Sequence, residues 1–251
     1  MNDLEKYFRN NTNRSIHKWE HYFNIYDRHF SRFRGTDVHI VEFGVSQGGS
    51  LQMWKDYFGS KCQIYGVDIN HHCKQFEEDQ VQVLIGDQND RSFLKSLVTK
   101  IPRVDILIDD GGHMMKEQIN TFEVLFDHIQ NDGVYLCEDL HTSYWSNFAG
   151  GYKKRKTFIE YSKNFIDDIH AWHSRTRKLK VSNFTKTAKS LHYYDSILVI
   201  EKGLVQKPSH SMTGTDSIPN YESKSTSGTV YTRFKSRIKQ RIKHLINRDV
   251  S

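Results

Sequence analysis

No stretch of the 251 residues approaches the ~20 consecutive apolar positions that a membrane-spanning helix needs. The N-terminal MNDLEKYFRNNTNRS is polar and lacks the apolar core of a secretory signal. Cysteine is scarce. Cys62, Cys73 and Cys137 are odd in number and form no CxxC pair. That argues against a disulfide framework and against structural zinc, and for reduced thiols in a cytoplasmic protein. Internal repeats are absent. The body of the chain also lacks net charge. The formal charge is +6, but residues 204–251 carry nine Lys/Arg and three Asp/Glu, leaving 27 of each sign in residues 1–203. Phosphate affinity needs clustered Lys/Arg on the binding surface, so a nucleic-acid partner is disfavoured.

What is present reads as alternating strands and helices. Residues 14–34 place Ile16, Trp19, Tyr22, Phe23, Tyr26, Phe30 and Phe33 at helical spacing, predicting an aromatic-rich helix for core packing, a subunit contact or a substrate lid. Short β-branched runs follow at 38–43, 63–68, 81–85, 104–109 and 133–137, with helical segments between them, notably 116–129. Runs at 189–193 and 196–201 predict a closing hairpin turning at Asp195. Alternation of this kind calls for an α/β fold, a mostly parallel seven-stranded sheet with helices on both faces. Residues 152–180, basic and aromatic with KKRK at 153–156, read as helical and exposed. The chain divides into an N-terminal helical segment (1–35), a central domain (36–203), a Ser/Thr/Gly/Pro-rich linker (204–230) and a basic amphipathic helix (231–248).

Three strand ends carry ligand-binding signals. Glu42-Phe-Gly44-Val45-Ser-Gln-Gly48-Gly49-Ser50 follows the first strand. Glycines there let backbone approach a ligand, and the next helix aims its N–H groups at it. NAD enzymes use such turns too, but a strict GxGxxG is missing and Glu42 can face a cationic amino group, which favours S-adenosylmethionine. Asp68, 24 residues after Gly44 and beside Ile69, suits ribose hydroxyls. Asp87 after the third strand, beside Gln88, suits an adenine amino group.

The last two strand ends carry acid. Asp109-Asp110-Gly-Gly-His113 follows the fourth strand and Glu138-Asp139 the fifth. Asp109 reads either as a cofactor contact or as a structural cap. Asp110, Glu138 and Asp139 would repel one another in a crevice unless a cation neutralises them, and hard oxygen ligands suit Mg²⁺. His113, three residues past Asp110, is a candidate base, since imidazole titrates near neutrality.

The segments IVEFGVSQGGSLQMW, IYGVDI, LIDDGGH and CEDLHTSYW resemble the class I, metal-dependent sugar O-methyltransferases of macrolide and aminocoumarin biosynthesis and their cephalosporin-hydroxylase-like relatives. The resemblance runs from about Ile16 to Glu201. It implies an S-adenosylmethionine-dependent O-methyltransferase in which Asp110, Glu138 and Asp139 hold the metal, His113 is the base, and His141, Tyr144 and Trp145 border a sugar or glycan acceptor. In the implied reaction neighbouring sugar hydroxyls gather at the metal, His113 removes a proton, and oxygen attacks the sulfonium methyl in line. A homo-oligomer is expected. A catechol-type acceptor, or an NAD-dependent oxidoreductase, are the competing readings. The basic tail reads either as a helix lying on an anionic inner membrane face or as a solvated or subunit-packing helix.

Overall fold

The computed structural model describes residues 1–215, 217 and 218. Residues 1–208 form one compact unit. Residues 209–215, 217 and 218 carry no helix or strand. About half of the expected linker and the whole basic helix at 231–248 lie outside the described residues. Among the described residues no helix is long and apolar enough to cross a membrane.

The elements in order are α1 (Asp3–Arg9), α2 (Tyr22–Phe30), β1 (His39–Phe43), α3 (Gly49–Phe58), β2 (Gln63–Asp68), β3 (Val81–Ile85), α4 (Arg91–Lys100), β4 (Val104–Asp109), α5 (Met115–Leu125), β5 (Ile129–Cys137), α6 (Phe158–Ser162), α7 (Asn164–Ile169), α8 (Asn183–Thr187), β6 (Ala188–Tyr194) and β7 (Ile197–Lys202). They build one seven-stranded sheet in the order β3-β2-β1-β4-β5-β7-β6. The first five strands are parallel. The last two form an antiparallel hairpin laid against β5.

Side-chain alternation along each strand feeds two cores. Ile40, Ile64, Val83, Ile106, Ile108, Val134 and Leu136 face one way, against Tyr26 and Phe30 of α2 and Trp54 and Phe58 of α3. Val41, Phe43, Tyr65, Val67, Leu107 and Tyr135 face the other, against Leu94 and Leu97 of α4 and Phe122 of α5. Every residue of β4 is buried, as a central strand covered on both faces requires. Each large side chain so enclosed contributes about 1.5–3 kcal/mol over its exposed state. Local chemistry sets the helix starts. Asp90 accepts a hydrogen bond from the Ser92 N–H and caps α4, worth ~1 kcal/mol.

Three segments differ from expectation. The helix expected over 116–129 ends at Leu125, and β5 begins at Ile129 rather than 133. The predicted helix over 14–34 is present only as α2, preceded by the unpredicted α1. Residues 10–21 between them form neither helix nor strand, so Ile16 and Trp19 lie in an irregular strap. Residues 152–180 form two short helices rather than one exposed one. Phe158 and Phe165 are buried there, and the Phe165 ring lies 4.4 Å from that of Phe122.

Candidate active site

The carboxyl ends of β1 to β5 open onto a pocket of about 430 Å³, within the roughly 300–1,000 Å³ of small-molecule sites. Its first wall is the turn after β1. Gly44 has φ of +90°, and a Cβ there would lie 2.0 Å from the Asp110 carbonyl oxygen, so the turn packs directly on the end of β4. Gly48 is left-handed at +73° and precedes α3, which has no side-chain cap. The N–H groups of its first turn are therefore free of capping side chains at the pocket edge. Gly44, Val45, Gly49 and Ser50 line the pocket, and Gly48 stands behind them against the Phe76 ring.

Asp68 braces this turn. Its Oδ2 accepts from the Val45 and Ser46 N–H groups at 2.9 and 3.0 Å, and Oδ1 accepts from the Asn70 N–H at 2.8 Å. It lines the pocket with its neighbour Ile69. Asp87 and Gln88 also line it. The Gln88 amide is committed inward, donating to Asp109 Oδ1 at 2.6 Å and to Thr121 Oγ1 at 2.9 Å while accepting from the Gly112 N–H at 3.2 Å.

Two acids expected to meet the cofactor lie elsewhere. Glu42 is fully buried beneath the turn. Ser50 Oγ donates to its Oε2 at 2.8 Å and Trp54 Nε1 to its Oε1 at 3.0 Å, so both oxygens are already engaged. Burial pushes its carboxyl up to about 7 against the opposing charge of Lys18. Asp109 is also fully buried and does not line the pocket. Burial pushes it up to about 7, offset in part by the hydrogen bonds from Gln88 and the Gly111 N–H. Its place is structural, clamping the ends of β3 and β4.

The opposite wall is charged. Asp110, His113, Glu138 and Asp139 all line the pocket. His113 Nε2 lies 3.8 Å from Asp110 Oδ1 and 3.5 Å from Asp139 Oδ2. Asp110, His113 and Asp139 each offer a donor atom within 4.8 Å of the others. The carboxylate oxygens of Asp110 and Asp139 suit a divalent cation, with the His113 imidazole beside them and its buried Nδ1 without a hydrogen-bond partner. Backbone conformation is unusual here. Ser46, His113 and Asp139 have φ of 49°, 56° and 54°, left-handed values that non-glycine residues hold only when surrounding structure enforces them. Glu138 does not join that group. It is buried, and both of its oxygens accept from Lys18 Nζ at 3.0 and 2.9 Å.

Lys18 was not foreseen at the site, and Trp19 and Tyr22 were expected there only under the substrate-lid reading. The strap lies over the glycine turn so closely that a Cβ on Gly49 would come within 2.3 Å of the Ser15 carbonyl oxygen. Tyr22 hydroxyl donates to Asp139 Oδ1 at 2.8 Å. Trp19 lines the pocket, and from it a series of rings runs outward. His141 stands edge-on at 5.6 Å, and Trp145 lies a further 4.5 Å from His141. His141 is held by Ser196, Nδ1 to Oγ 2.5 Å. Tyr144 and Trp145 are about half exposed, outside the pocket lining.

No family model matches the chain. Among curated proteins, the 8-demethyl-8-alpha-L-rhamnosyl tetracenomycin-C 2'-O-methyltransferase of Streptomyces olivaceus is 35% identical over 190 residues, covering 72% of this chain and 50% of that one. Demethylmacrocin O-methyltransferase of Streptomyces fradiae is 33% identical over 190 residues, with 71% and 48% covered. Among solved structures, the MycE methyltransferase of the mycinamycin pathway, in complex with Mg, SAH and mycinamycin VI, superposes with a TM-score of 0.74 at 30% identity, covering 81% of this chain and 54% of that one. The chain thus spans about half the length of the curated relatives it matches. By these likenesses and by the order of its strands, the chain has the class I methyltransferase fold and is similar to the antibiotic-sugar O-methyltransferases over about half of their length.

Proposed function

We propose that the chain transfers a methyl group from S-adenosylmethionine to a hydroxyl of a sugar-bearing acceptor, with a divalent cation, Mg²⁺ in the first instance, at the carboxylate wall. The observation that carries this reading is the convergence of Asp110, His113 and Asp139 within one pocket whose other wall is the glycine turn. The relatives named above, whose names give a rhamnosyl tetracenomycin-C and demethylmacrocin as acceptors, and the Mg and SAH of the MycE complex support it.

Gly44, Val45, Gly49 and Ser50 give the methyl donor a close backbone surface, Asp68 and Ile69 its ribose side, and Asp87 its adenine side. Glu42 acts indirectly, by fixing Ser50. Asp110 and Asp139 would hold the cation, and Glu138 could join them only on leaving Lys18. Bound there, the cation supplies positive charge that gathers neighbouring hydroxyls and favours their ionised form. His113 takes the proton at Nε2, held in place by its enforced backbone. Tyr22 fixes Asp139 by a hydrogen bond and so orients that ligand. The ring series from Trp19 through His141 to Trp145, with Tyr144 nearby, offers apolar faces to the sugar and keeps water from the reacting oxygen.

The test incubates the full chain with S-adenosylmethionine, Mg²⁺ and a panel of L-rhamnosides and macrolide glycosides, reading products by mass spectrometry. Gain of one methyl on the sugar supports the proposal. Thermal stabilisation by NAD and not by S-adenosylhomocysteine, with no methylated product, overturns it.

A further inference from the structure

The side chain of Lys18 is 3% exposed and enclosed by acid. Its Nζ donates to Asp110 Oδ2 and to both Glu138 oxygens, and lies 3.9 Å from Glu42 Oε1. Burying an ammonium is costly unless it is paired, and burying several carboxylates together is costly unless a cation sits among them. Each side of the cluster thus answers the other. The strap carries this cation to a place 92 residues away in sequence from Asp110 and 120 from Glu138.

That position matters for the proposed metal. Asp110 is divided, with Oδ2 on Lys18 and Oδ1 towards His113 and the open donor group. Glu138 is wholly taken by Lys18. A divalent ion beside the ammonium would feel its repulsion, and Glu138 can turn to the ion only by giving up Lys18. The two cations therefore compete for the same oxygens.

We propose that Lys18 is a tethered counter-cation that competes with the divalent metal for Asp110 and Glu138, and thereby sets the affinity of the site for metal. While Lys18 is seated, the carboxylates are neutralised and the strap is closed over Gly49 and the pocket. Metal binding draws Asp110 and Glu138 away and loosens the strap. Because Ser15, Ile16 and Trp19 line the same pocket as the glycine turn, this couples metal loading to access for the methyl donor and the acceptor.

The inference rests on the metal half of the function proposed above, and it is tested without turnover. Mn²⁺ binding to the full chain is measured by calorimetry for the wild type, Lys18→Met and Lys18→Arg. Lys18→Met should bind Mn²⁺ at least about tenfold more tightly. It should melt lower than wild type in EDTA yet gain more on adding Mn²⁺, since binding to the native state alone stabilises it. Lys18→Arg keeps the charge and should stay near wild type. An unchanged or weaker affinity in Lys18→Met overturns the inference and leaves the metal reading intact. No Mn²⁺ binding by either the wild type or Lys18→Met overturns both. Should Lys18→Met fail to fold, trypsin digestion of the wild type decides. Cleavage after Arg14 and Lys18 should quicken when Mn²⁺ is added, and cleavage indifferent to Mn²⁺ overturns the inference.

Discussion

At the ends of β1 and β2 the pocket is walled by backbone; at the ends of β4 and β5 it is walled by charge. The first wall is made of glycine conformations and of N–H groups gathered by Asp68, so its shape depends little on protonation or on ions. The second is made of Asp110, Glu138 and Asp139, whose mutual repulsion is met by Lys18 from the strap and by Tyr22 from α2. Burial pushes the Glu138 carboxyl up, the neighbouring Asp110 adds to that, and Lys18 opposes it. The same burial pushes Lys18 down, but the combined charge of Asp110, Glu138 and Glu42 outweighs it and holds the ammonium above the ordinary lysine range. A rigid backbone cradle suits a cofactor that must be bound the same way each time. A wall of exchangeable charge suits a step in which a hydroxyl gives up its proton beside a bound cation.

Removing the base should separate the walls most sharply. His113→Ala is expected to lower kcat by about 10²–10⁴, while its affinity for S-adenosylhomocysteine, read by calorimetry, stays within about threefold of wild type. Loss of both together would mean the walls are not independent. The converse break is Gly44→Ala. Strain at φ +90° and a Cβ pressed on the Asp110 carbonyl oxygen should cost roughly 3 kcal/mol in urea denaturation and abolish cofactor binding. Asp68→Asn is milder. It weakens hydrogen bonds to a charged acceptor, and about a tenfold loss of S-adenosylhomocysteine affinity is expected, with kcat at saturating cofactor little changed. At the outer end, Trp145→Ala should raise the acceptor KM about fivefold, the scale of one lost aromatic contact, and leave cofactor affinity alone.

The smallest effect lies outside both walls. Burial pushes Lys202 down to about 8, where its Nζ donates to the Phe126 and Ile129 carbonyl oxygens. Its folded value lies below its unfolded one, so the unfolded chain binds more protons between about pH 8 and 10. Stability should therefore rise with pH across that window from this group. Lys202→Met should remove that rise in melting temperature while leaving the pocket intact.

The backbone wall was readable because its signals are local. The first two β-branched strands, the glycine turn and Asp68 lie within one β-α-β unit, and β2, β3 and β4 fall where their β-branched runs place them. The acidic strand ends were readable as a group, but not the division within it. Successive residues at a strand end point to different sides, so Asp139 meets His113 while Glu138 meets Lys18. Glu42 looked free to face a ligand because nothing local shows that Trp54 and Ser50, a helix away, close over it. Lys18 was hidden for two reasons. Its partners are far along the chain, and the aromatic spacing that is real in α2 continues by chance through Ile16 and Trp19 into a segment that is not helical. The basic run at 152–180 likewise masked Phe158 and Phe165, whose burial against α5 is a tertiary fact.

In the proposed reaction the charged wall works with a divalent cation to methylate a sugar hydroxyl. The most direct measurement is methyl transfer from S-adenosylmethionine to an accepted glycoside, first in excess EDTA and then with Mg²⁺ restored. Transfer should fall to near background in EDTA and return with Mg²⁺. Undiminished transfer in excess EDTA would contradict the proposed reaction.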